Sequence, residues 1–184
     1  MNIFYLDKNQ TLCAQYHVDR HCVQMILEYS QLLSTAHRGL DGAETIEIQN
    51  NRRMKRWTLS NPQMDSVLYK ATHINHPSAI WARKSKANYH WLCIMLRELC
   101  KEYTHRYGKV HKVERDGLME VLYSSPVNIS SNEFTEPTPA MPEEFKVPGN
   151  SVLSYHSYYN GSKTRLHSWK SRSVPYFITE NNSK

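Results

Sequence analysis

The alternation of apolar and polar positions reads as a set of helices joined by irregular segments. Residues 2–6 (NIFYL) form a short apolar, aromatic run that fits a strand or an extended lead-in. From Thr11 to about His37, Leu12, Tyr16, Val23, Ile26, Leu27, Ser30 and Leu33 recur at spacings near three and four, with Gly39 as a stop, which predicts a first long helix. Residues 38–63 lose that period and hold a basic cluster, Arg52-Arg53-Met54-Lys55-Arg56-Trp57. A shorter helix is predicted over 62–73, with Pro62 near its start. Asn75-His76-Pro77 is a break, because the residue before proline resists helical geometry. The clearest helix runs from about Ser78 to Tyr107, with Trp81, Tyr89, Leu92, Leu96, Leu99 and Tyr103 on one face and Gly108 as its cap. Its first turns are separable as a short piece. Val113, Leu118, Val121 and Leu122 predict a helix over 110–123, and a last helix is predicted over 150–171, ending near Val174-Pro175. Between them, 124–150 carries Pro126, Pro137, Pro139, Pro142 and Pro148 among Ser, Asn and Glu. The expected fold is mainly α: a single compact helical domain over 1–178, with 124–150 as a long Pro-rich acidic loop inside it and 179–184 as a flexible tail.

A chain of 184 residues is long enough to bury a core. No run approaches the ~18 apolar residues of a membrane span, and MNIFYLDKNQ lacks the pattern of a signal peptide, so a soluble cytoplasmic protein with no membrane partner is expected. Cys13, Cys22, Cys93 and Cys100 form no C-x-x-C pair; they are expected to be buried thiols rather than a disulfide scaffold or a zinc knuckle. The formal net charge of +6 is unevenly spread. Residues 1–124 carry 17 basic and 12 acidic groups, 125–150 carry one and four, and 151–184 carry five and one. A polyanion is drawn to the first and last of these regions.

Four constellations could carry chemistry. On the first helix Cys13, His17, His21, Gln24 and Glu28 follow at four, four, three and four residues and so share a face. This is either an acid–base face, with His17, Asp19, His21 and Glu28 as the catalytic candidates, or a solvated stripe. The i, i+4 histidines lack a third ligand and the H-E-x-x-H glutamate, so no metal and no cofactor are expected. Arg20 adjoins this face and could meet a phosphate. His76, Arg83 and Lys86 mark a broken helix start that is either a phosphate seat or a capped turn. Arg106 and Lys109, and then Tyr158, Tyr159 and Lys163 leading to Arg165 and Arg172, interleave aromatics with cations. Rings that stack on bases beside cations that neutralise phosphate suit a nucleic-acid surface, while Tyr155, Tyr159 and Trp169 would equally serve a core.

The opening Leu12-Cys13-Ala14-Gln15-Tyr16-His17, the turn Asn75-His76-Pro77, Arg106-Tyr107-Gly108 at the end of the long helix, and Tyr158-Tyr159-Asn160-Gly161-Ser162-Lys163 together resemble the pyrimidine-dimer DNA glycosylases of the phage endonuclease V type. The chain is also similar to a family of small uncharacterised tailed-phage proteins. The first resemblance implies a compact three-helix fold that kinks DNA, extrudes a nucleotide and attacks its sugar with the N-terminal amine, assisted by a glutamate. The family's Arg-Glu pair falls near Val23-Gln24 here, which leaves Glu28 or Asp19 for the carboxylate and Met1 for the amine. It also implies the cytoplasm of an infected bacterial host.

The expectation is a DNA-acting enzyme working on an extruded nucleotide, as a glycosylase, abasic-site lyase or base-modifying relative. Its partner is DNA and a monomer is assumed. The alternatives are a non-catalytic phage protein that binds nucleic acid or a host factor, and a small nucleotide-processing enzyme. No Gly-rich phosphate loop is present, which argues against a kinase or dehydrogenase.

Overall fold

The computed structural model describes residues 1–179. Within them lie eight α-helices and one two-stranded sheet, a mainly α architecture: α1 Gln10–Tyr16, α2 Asp19–Asp41, β1 Ala43–Gln49, β2 Arg52–Thr58, α3 Pro62–Val67, α4 Pro77–Ala82, α5 Lys86–Tyr107, α6 Lys112–Arg115, α7 Leu118–Leu122 and α8 Ser151–Ser162. No helix among the described residues is long and apolar enough to cross a membrane.

The long antiparallel partners α2 and α5 form the centre of the buried apolar core, and α1, α4, α7 and α8 close around them. Tyr89, Leu92, Leu96 and Leu99 of α5 are buried as their spacing predicts, and Gly108 ends the helix in the left-handed region at φ 64°, where a Cβ is disfavoured. The split of the 78–107 segment falls at Arg83–Ser85, where the Ser85 side chain caps α5 by accepting from the Asn88 amide.

Residues 2–6 are an extended lead-in, not a strand. They are buried, so their polar groups must be paired, and side chains do this. The Phe4 amide donates to the Tyr29 hydroxyl, the Leu6 carbonyl meets His156 Nε2, and the Tyr155 hydroxyl donates to Asn2 Oδ1 at 2.6 Å.

Several expected boundaries are corrected. The predicted Thr11–His37 helix is two helices, with His17 and Val18 extended between them. The break leaves carbonyls at the end of α1 without helical partners, and distant side chains take them. Arg106 donates to Gln15 O and His17 O, and Trp169 Nε1 donates to Tyr16 O. With the phase reset, Leu12, Val23 and Leu27 are exposed, and Met25, Tyr29 and Leu32 do the packing. Helix α2 also runs through Gly39, whose missing side chain makes room for Ile74, and stops at Gly42.

The stretch without helical period holds a β-hairpin, α3 ends at Val67, the 110–123 segment is two short helices, and α8 ends at Ser162 before a 3-10 turn at Thr164–Leu166. The 124–150 segment contains a single 3-10 turn, Glu143–Phe145. It is tied down along its length, by Asp41 accepting from the Val127 and Asn128 amides, by Asn88 bonding Thr135, and by Ser151 Oγ donating to Pro137 O. Of the expected tail, Thr179 is hydrogen-bonded to Asn160 and 180–184 lie outside the described residues. The cysteines are unpaired, and burial pushes all four thiols up to about 12.

Candidate phosphate-binding cleft

The expected polar stripe is split by the kink after α1. His17 is fully buried, with both ring nitrogens engaged: Nδ1 donates to Cys13 O at 2.7 Å, and Nε2 therefore accepts from the Tyr29 hydroxyl at 3.2 Å. Burial lowers its pKa to about 4, so at neutral pH it is an uncharged structural group. His21 stacks on Phe4 at 4.1 Å and pairs through Nδ1 with the Tyr159 hydroxyl at 2.8 Å. That hydroxyl has no other acceptor among the described residues, so we assign the tyrosine as donor and the imidazole proton to Nε2. Burial first, then the charges of His17, Lys163 and Arg20, lowers the pKa of His21 to about 3. Neither histidine shuttles protons near neutrality, contrary to the acid–base expectation.

Asp19 is likewise structural. Its carboxylate accepts from Arg106 Nη1 at 2.9 Å, from Ser168 Oγ and from the Lys170 amide, which together hold its pKa low against burial. Arg106, expected on the surface against phosphate, is buried; it also pairs with Glu102 at 2.7 Å, and Glu102 in turn binds Arg172 at 2.8 Å. Arg106 and Arg172 are therefore committed to internal carboxylates. Tyr159 is wholly buried and belongs to the core. At the other expected seat, His76 accepts from the Ser78 amide and Arg83 donates to Ile74 O at 2.6 Å, so that turn is capped by its own residues. Lys86 and Lys109 are exposed on α5 and just beyond it. Glu28 is half-exposed, with Oε2 3.8 Å from the Met1 amine.

What the fold does bring together is a cleft of about 470 Å³ lined by Arg20, His21, Gln24, Ser162, Lys163, Arg165 and Leu166. Arg20 and Gln24 lie one turn apart on the exposed side of α2. The 3-10 turn after α8 swings Lys163 and Arg165 across to face them. No carboxylate lines the cleft, and Arg20, Lys163 and Arg165 have no ion-pair partner among the described residues. Lys163 instead sits 4.6 Å over the ring of Tyr158, which itself packs on Phe145. His21 supplies the floor, with no partner for its Nε2 among the described residues. The first turn of α2 has no side-chain cap and carries Asp19, whose carboxylate is turned to Arg106, Ser168 and the Lys170 amide.

Three cations, an imidazole N–H and an amide around one cavity are the donors that an anion requires. The sequence singles out Arg20, His21 and Lys163 as site candidates, and names Gln24 and Arg165 only as members of the polar stripe and the aromatic–basic run. The signal for Arg165 is its place in the basic run that follows Lys163, within what the sequence reads as one helix over 150–171. Among the described residues no group of three His, Cys, Asp or Glu side chains is arranged to hold a metal ion. Comparison with protein-family models, with curated proteins and with solved structures yields no match to this chain.

Proposed function

We propose that this protein binds nucleic acid, with DNA as the expected partner, and seats backbone phosphates in the cleft between α2 and the end of α8. The observation that carries the proposal is the lining: Arg20, Lys163 and Arg165 converge, with no carboxylate among the described residues to neutralise them. The net charge of +6 supports it, because a polyanion gains both the local site and the surrounding field. Phosphate contacts fix position without reading sequence, so the cleft supports affinity and register. The test is binding of a fluorescent duplex at several salt concentrations by the intact chain and by Arg20→Gln/Lys163→Gln/Arg165→Gln. Loss of three phosphate contacts reduces the slope of log K against log salt by roughly 2.7. An unchanged slope removes the cleft from the binding surface.

A second reading, a DNA glycosylase or abasic-site lyase, is favoured by one contact. The Met1 α-amine lies 3.8 Å from Glu28 Oε2, and Glu28 is one turn beyond the cleft residue Gln24 on α2. In a chain that starts at Met1, that amine attacks the C1′ aldehyde of an abasic sugar. Water leaves, an imine forms, and the neighbouring carboxylate accepts the amine's proton. Borohydride reduces such an imine to a stable protein–DNA adduct, and mass measurement locates it at Met1. Absence of any adduct with an abasic duplex between pH 6 and 8 eliminates this reading and leaves the binding proposal intact.

A further inference from the structure

The basic cluster that the sequence places at 52–57 lies on the β-hairpin, well away from the cleft at the other end of α2. Strands β1 and β2 pair antiparallel in the register Ile46↔Lys55 and Ile48↔Arg53. They turn through Asn50 and Asn51, both with positive φ (51° and 60°), as a tight two-residue hairpin requires. Both strands are solvent-exposed except at Arg56 and Trp57, near the base. A two-stranded ribbon that is packed only at its base is marginal in water over the rest of its length, which argues that the ribbon has a partner.

Its chemistry defines that partner. Directly paired residues share a face, so Ile46, Ile48, Arg53 and Lys55 stand together on one side. Ile48 is 75% exposed. On the other side Arg56 is held by Glu47 at 3.1 Å, while Lys55 reaches Glu44 at 2.8 Å. Arg52 and Arg53, flanking the tip, have no carboxylate partner among the described residues. Seven residues per strand give a ribbon about 24 Å long, with strands ~4.8 Å apart. A B-form major groove about 12 Å wide admits a two-stranded ribbon.

Resting on the nucleic-acid reading above, we propose that the 43–58 hairpin is an arm that enters a groove of duplex DNA. The face of Ile46, Ile48 and Arg53 is turned to the base edges, and Arg52 contacts phosphate. Exposed isoleucines suit thymine methyl groups, and an unpaired arginine suits the paired acceptors of guanine. Pairing of β2 with β2 of a second copy is disfavoured, because it would bring Arg52, Arg53, Lys55 and Arg56 of both copies together.

The experiment uses the full chain with a benzophenone attached at Ile48→Cys, the unsubstituted chain as labelling blank, and Arg52→Gln/Arg53→Gln for affinity. Expected are photo-adducts to duplex DNA and, for the double variant, affinity weaker by roughly tenfold or more. Duplex binding by the intact chain without a DNA adduct at position 48 overturns the arm and leaves the cleft reading standing. Protein–protein adducts in place of DNA adducts overturn it in favour of a second copy. If the intact chain binds no duplex at all, the underlying reading fails and the arm fails with it.

Discussion

The Tyr159 hydroxyl lies 2.8 Å from His21 Nδ1, and this one hydrogen bond ties the floor of the cationic cleft to the tyrosine core of α8. Tyr159→Phe deletes the donor and leaves a buried ring nitrogen unpaired. The expected cost is about 1–3 kcal/mol in urea denaturation. A change within ~0.5 kcal/mol, the scale of ordinary surface substitutions, would show that the bond contributes nothing.

The buried histidines set the response to acid. Unfolded histidine takes up its proton near 6.5, whereas His17 and His21 do so at about 4 and about 3 in the fold. Between those values the unfolded chain binds more protons, so stability is greatest above 6.5 and is lost as pH falls. At pH 5 each histidine accounts for at most about 2 kcal/mol of that loss. His21→Gln should flatten stability against pH between 6.5 and 5, measured by denaturant midpoint. An equal slope in variant and parent contradicts the assignment.

Arg106 belongs to the interior rather than to a DNA surface. Arg106→Ala leaves Glu102 and Asp19 facing the gap and frees the carbonyls of Gln15 and His17. A loss of about 3–5 kcal/mol is expected, the range for stripping one partner from a buried ion pair. Arg172→Ala should cost clearly less, since Glu102 keeps Arg106. Equal losses would contradict this ordering.

How far the sequence announced these features depends on whether the determining partner is near in the chain. Helix α5 was legible because its period, its Ser85 cap and the left-handed Gly108 are all local signals. The break at His17–Val18 was not, because the carbonyls it frees are taken by Arg106 and Trp169, at separations of roughly 90 and 150 residues. The same break split the apparent histidine stripe. Arg106 read as a surface cation because a sequence does not show that Asp19 and Glu102 converge on it. In the cleft, Arg20, His21 and Lys163 stood out as a polar stripe and an aromatic–basic run. Their meeting depends on the short turn after Ser162, inside what the sequence reads as one continuous helix.

The hairpin arm is positioned by Gly42, where a Cβ would come within 2.5 Å of Arg38 O and 3.1 Å of Trp57 Cβ. The obstacle is backbone, so relief requires moving the junction of α2 with β1. Gly42→Ala is expected to destabilise by about 1–3 kcal/mol. It should also speed amide exchange along 43–58; exchange equal to the parent's would show that the junction tolerates the methyl.

The most direct test follows the histidine side chains by NMR while duplex DNA is added to protein labelled with ¹⁵N in its imidazoles. The chain has ten histidines, and His17 is an internal control because both its nitrogens are already bonded inside the core. Phosphate in the cleft should shift the His21 ring nitrogens, Nε2 most strongly, while His17 stays still. Saturable DNA binding that leaves His21 unmoved would contradict the assignment of this cleft as the phosphate seat.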